Sequence, residues 1–560
     1  MKTHANGLSM ILLLGTLSWV LVSGGLAMQP PAYDLVLRGG KLVDGTGNPW
    51  RWGDVAIRGD KIVAVGNIHS GTAARELDLT GLIVAPGFID IHSHSDSLLL
   101  EDGRGLSKLH QGVTTDVLGE GSSAGPYRGA LPTEGGSVSS RRFATLDGYF
   151  QAIEKAGVAI NVASYVGMDN LWRSVMGGSF DRPTEAQFQE MESILDQALR
   201  EGGMGLSTML AMPPGSLATT QDIIRLCRVV RRHGGIYSTH NRHEGTNVVE
   251  AVKEAIEIGE QAEIPVDIIH LKIADQSLWG KMTELVQLIE QARQRGVNVQ
   301  ANVYPYTRGN NNLSSIIPPW AHEGGNEKML ERLKDTASRA RMKREIQEGI
   351  PGWYNHYTAV GGDWSRMLIS GKGPYEGLTM DRVQALKRTA NNDKDSLDIL
   401  FDLLIEQSGS VSTVYEHHTE SDMNLVMIQP WCSFGSDGSA YATDGPLRRG
   451  NPHPRNFGTF PRVLGVYCRD RGLLRLEEAI RKMTSLNASK IGLADRGLLV
   501  PGAAADITAF SLEQVADLAT YEDPFHYSRG VRWVLVNGRV VLADGAPTQE
   551  RPGRVLRRGR

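Results

Sequence analysis

The chain has 560 residues, 41% hydrophobic and 22% charged, with 64 glycines. That composition describes a globular protein with room for one large domain and a smaller one, and it excludes a disordered or fibrous chain. A formal net charge of −4 argues against nucleic acid as the main partner.

In chain order, Lys2 precedes the apolar run Met10 to Val22, and small residues follow up to Ala27. The run is shorter than the roughly 20 residues that span a bilayer. It predicts a signal peptide over 1–27 and an exported protein, periplasmic or secreted, with no stable membrane insertion after cleavage. An uncleaved anchor is the alternative reading. From Tyr33 to Val84, "YDLVLRGGKLVDG" and "GDVAIRGDKIVAVG" alternate β-branched and polar residues and end at glycine. The same texture returns in "ADITAF" and "VRWVLVNGRVVLADG". The two ends, 33–86 and 489–550, are therefore expected to build one small β-sandwich domain.

Between them, over 87–488, short apolar strands alternate with amphipathic helical stretches such as "QDIIRLCRVVRRHGG". Repeated βα units predict an α/β fold with a parallel sheet, open or closed. A count of about eight strands favours the (β/α)8 TIM barrel. The rhythm fails over 307–414, which reads as an insertion over one barrel mouth and includes a charged helix near Glu331 to Glu348. The basic tail "RPGRVLRRGR" reads as a solvated, partly disordered end. Cys227, Cys432 and Cys468 are too few and too widely spaced for a disulfide framework, although one pair is possible. They lack zinc-ligand spacing, so any bound metal is held through nitrogen and oxygen.

Polar residues end several predicted strands. "PGFIDIHSHSD" closes on His92 and His94, which point to the same face because strand side chains alternate. Taken alone, this pair fits metal chelation or two loop residues satisfied by carbonyls. Glu120, His240, His270 and Asp437 end further strands. In a barrel the C-terminal strand ends converge on one mouth. Imidazoles and carboxylates gathered there suit zinc or a similar divalent ion with a position left open for water.

This ordered set, with "QGVTTDVLGE", "GGMGLSTMLAMPPGSLAT", "YSTHNRHEG", "IIHLKIAD", "VYPYTRG", "GSDG" and "HPRNFGTFPRVLG", resembles the amidohydrolase superfamily, and within it the D-aminoacylase (N-acyl-D-amino-acid deacylase) family. The similarity runs from about Tyr33 to Asp544. It implies that His92 and His94 ligate one metal position, that His240 and His270 ligate a second, and that Asp437 holds the attacking water and moves its proton. Lys272, Tyr304 and Arg455 then bind the substrate's carboxylate and carbonyl. The residue chemistry agrees: a carboxylate can accept and return a proton, and a guanidinium fork suits a free carboxylate. The alternative for Arg455 is an ordinary surface ion pair.

Three departures stand out. The family usually has "GNCG" after the second strand, with a metal-ligating cysteine; here the text is "GEGSSAGP". Glu120 is either a carboxylate ligand bridging two ions, which would loosen the preference for zinc toward manganese or cobalt, or a charged loop residue. Met168 and Asn310 replace a common histidine and serine. The implied activity is metal-dependent hydrolysis of N-acyl-D-amino acids, small molecules with a free carboxylate. The alternatives are another amidohydrolase reaction (cyclic amide, lactone or dipeptide hydrolysis) and an exported binding protein without catalysis.

Overall fold

A computed structural model describes Met1 and residues 32–69, 73–129, 142–388 and 394–559. The expected signal peptide lies almost entirely outside the described residues.

Eight parallel strands form the barrel: Phe88–Asp90, Val113–Leu118, Asn161–Ser164 continued by Val166–Gly167, Gly205–Met209, Ile236–His240, Val266–Ile268, Val299–Val303 and Cys432–Phe434. Each neighbour pair is joined in register. The ring closes where Ser93 bridges Gly438 and His92 O accepts from Asp437 N at 2.9 Å. That closure places the end of the first strand beside the end of the last. A Cβ on Gly435 would stand 2.8 Å from His92 Cβ, so this approach requires glycine there.

The β-sandwich expected from the two termini takes the form of one nine-stranded mixed sheet, in which Ile507–Phe510 pairs with Ile83–Pro86 across the full chain. It carries its own apolar cluster, including Leu37, Val55, Ile57, Ile507 and Leu535.

The region after Pro305 folds around a three-stranded antiparallel sheet, Arg308–Asn312, Met367–Ile369 and Ser412–Glu416. Its core, with Leu313, Met342, Phe401 and Tyr415, is separate from that of the barrel. The charged helix expected near Glu331 to Glu348 is two helices, Asn326–Lys334 and Thr336–Glu348. Asp335 breaks the run: its backbone is extended, and its carboxylate caps the second helix by accepting from Ser338 N.

The basic tail is not a solvated end. Val555 bridges Val162, Leu556 is buried, and Arg557 pairs with Asp147 at 2.6 Å. Arg558 donates to the carbonyls of Ile491 and Gly234. These partners lie at the N-terminal ends of barrel strands and at helix ends, whose free carbonyls attract guanidinium groups. The three cysteines are free.

Candidate metal centre

The strand ends place His92, His94, Glu120, His240, His270 and Asp437 around one point. Glu120 sits at its centre. Its Oε2 lies 2.5 Å from His92 Nε2 and 2.9 Å from His94 Nε2. Its Oε1 lies 3.0 Å from His240 Nδ1 and 3.8 Å from His270 Nε2. Asp437 Oδ1 is 3.0 Å from His94 Nε2 and 3.7 Å from His92 Nε2. Two donor groups result: His92, His94, Glu120 and Asp437; and Glu120, His240 and His270. In each, the donor atoms all lie within 4.8 Å of one another. Ligands about 2.0–2.2 Å from one tetrahedral ion stand about 3.3 Å apart. The donor separations bracket that value, and Glu120 belongs to both groups.

Local backbone explains how Glu120 reaches this position. Gly119 and Gly121 flank it at φ +91° and +59°. A Cβ on Gly121 would stand 2.5 Å from Met209 Cβ, and Gly121 N donates to Ser207 Oγ at 3.0 Å. The turn therefore lies flat against the fourth strand. His270 and Asp437 are non-glycine residues at φ +39° and +51°, the kind of backbone strain that collects at functional sites.

Electrostatics suit cation binding. Burial pushes the Glu120 carboxyl up, but the surrounding His92, His240 and His94 hold it well below the usual carboxylate range. Burial, reinforced by Lys272, brings the His270 imidazole down to about 4 against the pull of Glu244, which keeps a lone pair available to a metal.

Arg455 Nη1 donates to Asp437 Oδ2 at 2.7 Å, and its guanidinium lies 4.8 Å from the Tyr304 ring centre. Its Nε is buried without a partner among the described residues. Lys272 differs from the expectation. Its Nζ donates to Glu244 Oε1 at 2.5 Å and meets His270 Nδ1 at 2.8 Å, because a buried ammonium requires a counterion. With Tyr304 it lines a narrow crevice beside His270, apart from the main cavity. Met168 is packed in the barrel's apolar core. Asn310 lines a cavity of about 470 Å³ that opens from His94, Asp437 and Arg455 toward the insertion.

Two contributors escaped the sequence reading. Glu244 lies four residues after His240, with its Oε1 3.2 Å from His270 Nδ1; the "HNRHE" spacing was its only signal. Fully buried Lys108 donates to Asp90 Oδ2 at 2.6 Å, Ser93 Oγ at 3.1 Å and Ser436 Oγ at 3.0 Å. It thus ties the loop carrying His92 and His94 to the one carrying Asp437. An aspartate within the apolar "FID" and a lysine within "LSKL" were its trace.

A closed βα barrel with imidazoles and carboxylates gathered at the C-terminal strand ends defines a metal-dependent hydrolase architecture. The model of the amidohydrolase family matches residues 75–342 and 425–542, and the chain belongs to that family. The unmatched stretch between them falls largely within the insertion. D-aminoacylase from Alcaligenes xylosoxydans xylosoxydans is 35% identical over 537 residues, covering 94% of this chain and 98% of the relative. Among solved structures, a D-aminoacylase described as having a binuclear metal centre superposes with a TM-score of 0.78 at 34% identity, covering 94% of this chain and all of that one. N-acyl-D-glutamate deacylase from Bordetella bronchiseptica, solved with zinc and a phosphonate inhibitor, gives 0.78 at 31% identity over 94% and 99% of the two chains.

Proposed function

We propose that this chain hydrolyses the amide bond of N-acyl-D-amino acids, releasing a carboxylate and a free D-amino acid. The observation that carries this reading is the pair of donor groups sharing Glu120, beneath an Asp437–Arg455 pair that opens into the cavity. Zinc, manganese or cobalt would be held by His92, His94 and Asp437 on one side of Glu120 and by His240 and His270 on the other. A divalent ion bound there would lower the pKa of water and polarise the amide carbonyl.

The chain's own residues supply the rest. Asp437 accepts the proton lost by the attacking water and returns it to the departing nitrogen. Arg455 holds Asp437 in its ionised form through Nη1, and the remainder of its fork is available to the substrate's α-carboxylate. Tyr304 lies with its ring centre 4.8 Å from the Arg455 guanidinium and steadies that fork. Glu244 orients His270 by accepting from its Nδ1–H, which leaves Nε2 for a metal, and Lys272 neutralises Glu244.

The test is metal content together with amine release. Chelation is expected to abolish hydrolysis of N-acetyl-D-amino acids, and zinc, manganese or cobalt to restore it. A metal-loaded protein inactive on a broad D- and L-panel would overturn the assignment. We also propose export after cleavage near Ala27, which N-terminal sequencing of the mature protein would check.

A further inference from the structure

The loop that carries Glu120 is held by a residue outside the ligand set. Asn170 stands in the first turn of the helix Met168–Met176 and is 2% exposed. Its Oδ1 accepts from Ser123 N at 3.0 Å and from Ser122 Oγ at 3.1 Å. Its Nδ2 donates to Ser123 O at 2.7 Å and to Pro126 O at 3.0 Å. Both faces of the carboxamide are used, and all four bonds go to one loop. Ser123 offers it a donor and an acceptor side by side, which fixes the way round the amide lies.

The start of the same helix adds further bonds. Asp169 N donates to Gly121 O at 2.9 Å, and Gly167 N donates to Ser123 Oγ at 3.0 Å. A Cβ on Gly167 would stand 2.6 Å from both Gly121 O and Ser123 N, so the loop lies directly on the helix N-terminus. From the other side, Gly121 N donates to Ser207 Oγ on the fourth barrel strand at 3.0 Å. Residues 121–123 are thus clamped, and Glu120, the next residue back, is presented to the histidines. A ligand has to be held within about 0.5 Å of its working position. For Glu120 the clamped backbone sets that position.

Resting on the reading of Glu120 as a shared metal ligand, we propose that Asn170 is a positioning residue for the metal centre: its four hydrogen bonds fix the loop that presents Glu120 to both donor groups. Asn170→Leu keeps a branched side chain and makes none of these bonds. Ser123 N, Ser123 O and Pro126 O then lose their partner, and the loop shifts to recover others, taking Glu120 with it. The consequence is unequal. Without a well-placed Glu120, His92, His94 and Asp437 remain as three donors, whereas His240 and His270 are only two.

The test is a double-mutant cycle read as metal affinity. Zinc and manganese binding is measured by competition with a chromogenic chelator in wild type, Asn170→Leu, Glu120→Ala and the double variant. Asn170→Leu is expected to weaken the less tightly held ion by about 10–100-fold. In the Glu120→Ala background it is expected to add less than about threefold, because it acts through that carboxylate. Asn170→Asp keeps the two acceptor bonds and loses the two donor bonds, so its loss falls between; it carries the same comparison if the leucine variant does not fold. Equal losses with and without Glu120, or wild-type affinity in Asn170→Leu, overturn the positioning role. A wild-type protein that holds neither ion, or unchanged affinity in Glu120→Ala, instead overturns the reading of the centre on which it rests.

Discussion

At Glu120 one carboxylate meets four imidazoles, two on each oxygen. Removing it takes a donor from both groups at once. Glu120→Ala is therefore expected to lower metal affinity about 100-fold or more, measured by competition with a chromogenic chelator. Unchanged affinity would remove Glu120 from the ligand set. Glu120→Cys supplies a softer donor at the same place and is expected to shift preference from manganese toward zinc. For Asp437 the proposed role is proton transfer. Asp437→Asn should reduce kcat by about 10²–10⁴-fold with a much smaller change in KM; a loss confined to KM would assign this residue to substrate binding instead.

At the scale of elements, the first and last barrel strands are held together by a buried polar knot. Lys108 neutralises Asp90 and stands 3.3 Å from Asp116, both fully buried. Lys108→Met leaves two buried carboxylates without their cation, and breaking such a pair costs about 3–5 kcal/mol. A clear drop in the urea midpoint is expected. The tail is a second element whose docking has consequences. Deleting residues 553–560 removes the buried Leu556 and the Arg557–Asp147 pair. Stability should fall by at least about 1.5 kcal/mol, while KM is unchanged because the tail packs at the barrel end opposite the metal centre. A shifted KM would contradict that separation. The two helices around Asp335 illustrate a limit of pattern reading: charge density is nearly uniform across the break, so only capping geometry marks it.

For the whole molecule, the eight barrel strands were legible because each buried parallel strand is a short apolar run bounded by turns. Their polar ends stood out because a histidine or carboxylate interrupts such a run at little cost only where it has work to do. The sheet from both termini was visible in the recurring alternation at the two ends. Less was visible in the tail, whose basic composition resembles that of a solvated end until helix and strand carbonyls come within reach. Among the described residues, no helix is long and apolar enough to cross a membrane.

By itself the sequence determined the barrel, the order of its strand-end imidazoles and carboxylates and their chemical type, since periodicity and residue identity are local properties. Tertiary structure decided the rest. Whether Glu120 joins the histidines depends on how a glycine-flanked turn packs against Met209, and whether Lys272 faces substrate depends on a carboxylate 28 residues away. Which side chains line the cavity depends on how the insertion lies over the barrel mouth. In each case the deciding quantity is a distance between residues far apart in the chain, which no pattern along the chain contains.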